Sequence, residues 1–138
     1  MKLTRRETIV LGFGTAITAM LPLAAGAAPE DKIKEFTGGA ETVSEGLTLT
    51  APEIAENGNT VPIEVSAPGA EAILVLAPGN PNPDVGTFRF GPLAGSQTAS
   101  TRIRLAETQE LVAIAKLSDG SFARATKEVK VTIGGCGG

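Results

Sequence analysis

The chain has no histidine, no tryptophan and no tyrosine, and only one cysteine in its 138 residues. Each shortage removes a class of chemistry. Without an imidazole base, neither a Ser-His nor a Cys-His nucleophile pair can be assembled. A structural zinc site draws on four Cys or His ligands, and a haem site draws on His or Met beside a binding motif; this chain is poor in all of them. One cysteine closes no intramolecular disulfide. Aromatic residues are 4% of the chain and the formal net charge is −3, so it offers neither a stacking platform nor a basic surface to nucleic acid. What remains is an ordinary globular composition, 42% hydrophobic and 20% charged, of a length that fits one domain. No cofactor, no metal and no catalytic group of its own is expected.

Residues 1–27 read as an export signal. Lys2, Arg5 and Arg6 form a basic start, and no further charge appears between Glu7 and Glu30. The apolar stretch over 9–24 is diluted by Gly12, Gly14, Thr15 and Thr18, and Ala25 and Ala27 stand in the A-x-A positions of a cleavage site. The adjacent arginines in Thr4-Arg5-Arg6-Glu7 resemble the twin-arginine signal, although Thr8 and Val10 depart from its usual pattern. The expected destination is the periplasm, by the twin-arginine route, with no membrane anchor in the mature form. Removing residues 1–27 leaves 9 basic against 14 acidic residues and a net charge of −5. A lone thiol in such an oxidising compartment is unusual, and it needs a reason.

Residues 28–133 carry the pattern of a small β protein. Ile33 and Phe36 share one face of a short helix over 31–36, which Gly38 and Gly39 stop. Seven strand candidates follow, at 47–50, 61–66, 71–77, 86–90, 98–105, 110–117 and 122–133. Between them lie breakers such as Glu56-Asn57-Gly58-Asn59, Ala67-Pro68-Gly69, Asn80-Pro81-Asn82-Pro83 and Ser118-Asp119-Gly120. This spacing predicts an all-β, immunoglobulin-like antiparallel sandwich of about seven strands, preceded by the short helix. Ile103 and Leu105 are expected inward between outward Arg102 and Arg104, and Val129, Val131 and Ile133 inward on the last strand. Two strands, 72–77 and 111–115, are apolar on both faces, so a loop or a partner must cover the outer side. Few rings are present to fill the core, which adds to the expectation of an obligate partner on a largely apolar interface.

The chemistry is expected at the end of the chain, Gly134-Gly135-Cys136-Gly137-Gly138. Glycine is the costliest residue to order, so the pentapeptide is expected to be a mobile arm on a rigid strand. Gly134 to Cys136 span at most about 10 Å, and without neighbouring side chains the arm is as narrow as a bare backbone. Neither a prenylation box nor a lipobox fits the position of Cys136, and no cation nearby in sequence would depress its thiol pKa. A tethered thiol that other proteins act upon is the reading that remains, with a structural module cross-linked through an intermolecular disulfide as the alternative. A terminal Gly-Gly that is adenylated, as in ubiquitin-like sulfur carriers, requires ATP and a more helical fold.

These residues resemble the SoxY family of sulfur carriers in bacterial thiosulfate oxidation. The likeness rests on the terminal pentapeptide. It also rests on Pro52-Glu53-Ile54-Ala55-Glu56-Asn57-Gly58 with Val61-Pro62-Ile63, on Asn80-Pro81-Asn82-Pro83, on Leu105-Ala106-Glu107-Thr108-Gln109, and on Ala115-Lys116-Leu117-Ser118-Asp119-Gly120. The resemblance implies an immunoglobulin-like fold, a heterodimer with a SoxZ-type subunit, and Cys136 as the covalent attachment point for sulfur intermediates. It further implies transient docking to a c-type haem enzyme that couples thiosulfate, a thiosulfohydrolase that releases sulfate, and a sulfane dehydrogenase that oxidises the remaining sulfur.

Overall fold

A computed structural model of the chain describes residues 28–133. The twin-arginine pair Arg5–Arg6 and the arm from Gly134 to Gly138, including Cys136, lie outside the described residues.

Pro29–Thr37 form helix α1. Proline in its first turn gives up an N–H that has no helical partner there anyway. Glu30 and Asp31 at its start and Lys34 near its end complement the helix dipole, and Gly38 ends it in the left-handed region at φ 66°. Nine strands follow: β1 (Thr42–Val43), β2 (Thr48–Thr50), β3 (Ile54–Ala55), β4 (Val61–Ser66), β5 (Ala70–Leu76), β6 (Asp84–Arg89), β7 (Thr98–Ile103), β8 (Gln109–Leu117) and β9 (Phe122–Val131). One sheet runs β1-β9-β8-β5-β6, with β3 also pairing along β9, and the other runs β2-β4-β7. β1 and β3 pair with β9 in parallel, and the long ladders β8–β9, β5–β8, β5–β6 and β4–β7 are antiparallel.

The seven expected long strands are all present. The two additional ones, β1 and β3, are only two residues long, too short to leave a period-two pattern in sequence. Strand ends differ by a residue or two. β7 stops at Ile103, with Leu105 buried just beyond it, and β9 stops at Val131. Ile133, expected inward, is 67% exposed, because the chain bends away from the sheet at Thr132.

Alternation decides which side chains meet. On β4, Val61, Ile63 and Val65 are buried while Pro62 and Glu64 are exposed. The core between the sheets joins them to Ile73 and Val75 of β5, Leu111 and Ala113 of β8, Val129 of β9, and Ile103 and Leu105. A second apolar cluster lies on the other side of the larger sheet: Leu74, Leu76, Val112, Ile114 and Phe122, with Ile33 and Phe36 of α1 packed on them. Phe36 meets Phe122 edge-on, with ring centroids 6.0 Å apart. This corrects the expectation of a partner on the two-sided strands, because the chain's own helix closes that face. Leaving each of those large side chains in water would forgo about 1.5–3 kcal/mol, which explains why so short a helix stays docked.

Candidate functional site

β9 runs its ten residues from one end of the sandwich to the other, about 30 Å, and delivers the chain to the pole from which residues 134–138 continue. Three further segments meet at that pole. They are residues 53–60, which include β3 and lead into β4, residues 77–83 between β5 and β6, and residues 104–108 between β7 and β8.

The last described residues are tied on both sides. Lys130 N donates to Glu53 O at 2.9 Å, and Thr132 N to Ala55 O at 3.1 Å. From the other side, Thr108 Oγ1 accepts from Val131 N at 2.9 Å. Thr132 Oγ1 donates to Glu56 O at 3.1 Å. The carbonyl of Ile133 accepts from Gly58 N at 2.8 Å, and Gly58 in turn accepts from Leu105 N at 2.7 Å through its own carbonyl. Asn57 holds that turn, its Oδ1 accepting from Asn59 N at 3.0 Å. The arm therefore starts from a root that is hydrogen-bonded up to Ile133.

Two buried amides lock the neighbouring loops. Asn80, 8% exposed, donates through Nδ2 to Arg104 O at 2.7 Å and accepts at Oδ1 from Ala106 N and from Gln109 Nε2, both at 2.9 Å. Gln109, 9% exposed, accepts from Gly79 N at 2.9 Å and donates to Glu107 O at 3.2 Å. Among the described residues no buried side-chain polar atom is left without a partner. Gly79 fits because it has no Cβ, which would stand 3.0 Å from Gln109 Cβ.

Sequence reasoning found the Asn80-Pro81-Asn82-Pro83 turn but missed that Asn80 faces inward to bridge two loops. The two prolines mark a turn, and nothing local distinguishes the inward amide from the exposed Asn82. Of the residues named from sequence, Arg102 and Arg104 are exposed and Ile103 and Leu105 are buried, as alternation required. Ile54 and Ile133 stand exposed at 58% and 67% near the base of the arm. A carboxylate held below its usual range, Asp119, lies at the opposite pole, where the Ser121 hydroxyl and then the Ser121 N–H hydrogen-bond to it. Among the described residues no group of three or more His, Cys, Asp or Glu side chains is placed to hold a metal. At this pole the hydrogen bonds fix the backbone up to Ile133.

Comparison with known proteins agrees with that geometry. Residues 33–136 match the family model described as sulfur oxidation protein SoxY. The span includes Cys136. Among solved structures, the chain is similar to the sulfur carrier protein SoxY from Chlorobium limicola f thiosulfatophilum, with 37% identity and a TM-score of 0.64, over 77% of this chain and 97% of that one. It is also similar to a superoxide reductase (neelaredoxin) from Ignicoccus hospitalis, with 24% identity and a TM-score of 0.55, over 75% of this chain and 92% of that one. At that identity the second likeness speaks to the fold alone. No curated protein matched the chain.

Proposed function

This chain belongs to the SoxY family of sulfur oxidation proteins, and from that premise we propose that it is a covalent sulfur carrier whose attachment point is Cys136. The family match supports a sulfur-carrier role that needs no catalysis by the carrier itself. The observation that carries the finer reading is the chain's single thiol, set between Gly134-Gly135 and Gly137-Gly138, three residues beyond a root pinned at Ile133. An attached sulfur chain there is held by one residue and crowded by none of its neighbours, because glycine adds no side chain. The arm can then present the same atom to different enzymes.

In the proposed cycle, the Cys136 sulfur is joined to the sulfane sulfur of thiosulfate while two electrons leave to a haem client. Water then cleaves the terminal sulfonate as sulfate in a thiosulfohydrolase, and a sulfane dehydrogenase oxidises the sulfur that stays on the arm. The carrier's part is to hold, extend and withdraw. A SoxZ-type subunit completes the proposed heterodimer, and the Arg5–Arg6 pair supports export to the periplasm by the twin-arginine route. Because α1 already covers the outer face of the larger sheet, the subunit would sit elsewhere on the sandwich.

The test is thiosulfate-dependent electron transfer in a mixture reconstituted with the client enzymes. Cys136→Ser abolishes it, since a hydroxyl forms no sulfur–sulfur bond and the chain has no other thiol. Gly135→Val leaves the circular dichroism spectrum unchanged but lowers turnover by about tenfold or more, a barrier of about 1.4 kcal/mol, by widening the arm. Full activity of Cys136→Ser would overturn the carrier reading.

A further inference from the structure

Four asparagines lie in the chain, and the residue after each decides how readily its side-chain amide can be lost. Loss begins when the following backbone nitrogen gives up its proton and attacks the side-chain carbonyl carbon. A five-membered succinimide forms and ammonia leaves. Asn80 and Asn82 are followed by Pro81 and Pro83, which have no N–H to give. Asn59 is followed by Thr60, whose branched Cβ crowds the approach. Asn57 is followed by Gly58, which has no side chain in the way and the backbone freedom to close the ring. Asn57 is also exposed, so water has access to a ring formed there.

Two hydrogen bonds hold the two groups that would react. The Gly58 N–H, the nucleophile of that step, donates to Ile133 O at 2.8 Å, and Gly58 is buried. Taking its proton away means breaking that bond first. The Asn57 side chain is engaged elsewhere, its Oδ1 accepting from Asn59 N at 3.0 Å.

The bond that guards Gly58 belongs to the root of the arm. Ile133 is exposed, and its own place depends on a few bonds at the surface. Thr132 N reaches Ala55 O at 3.1 Å, Thr132 Oγ1 reaches Glu56 O at 3.1 Å, and Val131 N reaches Thr108 Oγ1 at 2.9 Å. Exposed bonds at the end of a strand open locally at far less cost than the core does.

We propose that Asn57 is a deamidation site latched by the root of the arm. While Ile133 O holds the Gly58 N–H, the Asn57 amide is stable. When the root opens, Gly58 N attacks Asn57 Cγ, and the amide nitrogen leaves as ammonia. Water then opens the succinimide to aspartate or isoaspartate, with no oxidant or reductant involved. Either product places a new carboxylate beside the root. Isoaspartate also routes the main chain through the side chain, adding a methylene between residues 57 and 58. Gly58 N and O then fall out of step with Ile133 O and Leu105 N, which they meet at 2.8 and 2.7 Å. The root cannot close again, so the step is one-way. Its value to the protein rests on the carrier reading: it retires a chain whose arm has lost its fixed origin.

The exported protein, with whatever subunit co-purifies, is aged in mildly alkaline buffer beside the free peptide Glu-Asn-Gly-Asn-Thr. Conversion of amide to acid at Asn57 is followed by mass after digestion, and protection of the Gly58 amide by hydrogen exchange. The expected rate is about tenfold or more below the peptide's, by the same factor as the Gly58 protection, because only the open fraction reacts. Thr132→Val and Thr108→Val each loosen the root and raise the rate about fivefold, roughly what one surface hydrogen bond is worth. Ser121→Ala, at the opposite pole, leaves it unchanged. In the isoaspartate fraction the Leu105 amide loses its protection. Conversion of the wild type at the peptide's rate, or equal rates in the root variants and Ser121→Ala, overturns the latch. A Leu105 amide still protected in the isoaspartate fraction overturns the one-way step. No client or thiol enters these readouts, so the carrier reading stands or falls separately, on Cys136→Ser in the reconstituted assay.

Discussion

The two ends of the sandwich are closed in different ways. At the pole away from the arm, the turns rely mainly on backbone. Ala70 N reaches Ala67 O at 3.0 Å, Ser118 N reaches Gly69 O at 2.9 Å, and Gly69 and Gly120 take positive φ of 79° and 85°. The β8–β9 hairpin there joins neighbours in sequence, and a tight glycine turn suffices for that. At the arm pole the segments that meet come from residues 53–60, 77–83, 104–108 and 130–133, which are not neighbours in sequence. Asn80 and Gln109 bridge the second and third of these across sequence separations of 24 to 30 residues, and backbone hydrogen bonds tie the first to the third and fourth. The contrast shows where positional accuracy is concentrated. On the carrier reading proposed above, the arm needs a fixed origin, and buried side chains help to fix this end.

Removing an amide should therefore hurt far more at the arm pole than losing a turn glycine hurts at the other. Asn80→Ala deletes three hydrogen bonds and leaves the partly buried Ala106 N–H and Arg104 carbonyl without that partner, while Gln109 Nε2 keeps only Glu107 O. The expected loss is about 2–4 kcal/mol, read as a lower urea midpoint with an unchanged m-value. A loss below about 1 kcal/mol would mean that water replaces the amide freely and that the pole is not locked. Placing the same residue at both poles sharpens the point. Gly79→Ala forces a Cβ to 3.0 Å from Gln109 Cβ, which belongs to the backbone-anchored start of β8. That overpacking should cost about 1–3 kcal/mol. Gly120→Ala meets no atom within 4 Å and suffers only from φ +85°, which should cost about 1 kcal/mol. If Gly120→Ala proved the more damaging of the two, the two ends would have to be ranked the other way.

What could be read in advance follows the same division. The far pole was legible, since Ala67-Pro68-Gly69 and Ser118-Asp119-Gly120 announce turns by composition, and the long strands announce themselves by alternation. The covering of Leu74, Leu76, Val112 and Ile114 by Ile33 and Phe36 was not, although both halves were visible: a short amphipathic helix and a pair of strands with two apolar faces. Pattern gives each element its sticky side, but not which element is near enough to use it. The inward turn of Asn80 was hidden for a related reason, because its partners Arg104, Ala106 and Gln109 are far away in sequence. The cysteine proposed as the attachment point can be picked out without any fold. It is conspicuous by being the one thiol, set among glycines.

Acid should separate the two ends by a smaller margin. The arm-pole lock is made of amides, which do not titrate, whereas the far turn holds a carboxylate. Asp119 accepts from the Ser121 N–H at 2.9 Å and from the Ser121 hydroxyl, and these bonds to the charged form hold its carboxyl below the usual range. A carboxyl lowered in the folded state binds its proton more readily in the unfolded chain, so its contribution is complete above the ordinary value of about 4. It fades as the pH falls through the lowered folded value. The side chain is open to solvent, so the effect on global stability is small and is better sought locally. Hydrogen exchange followed by NMR should show the Ser121 amide losing protection as the pH is lowered from 5 toward 2.5, once intrinsic exchange is corrected for. The Ala106 amide, held by Asn80, should keep its protection over the same range. Asp119→Asn should flatten the Ser121 profile. An Ala106 amide that opened first would mean that the buried amides are not the firmer closure, and would remove the structural reason for regarding that pole as the arm's fixed origin.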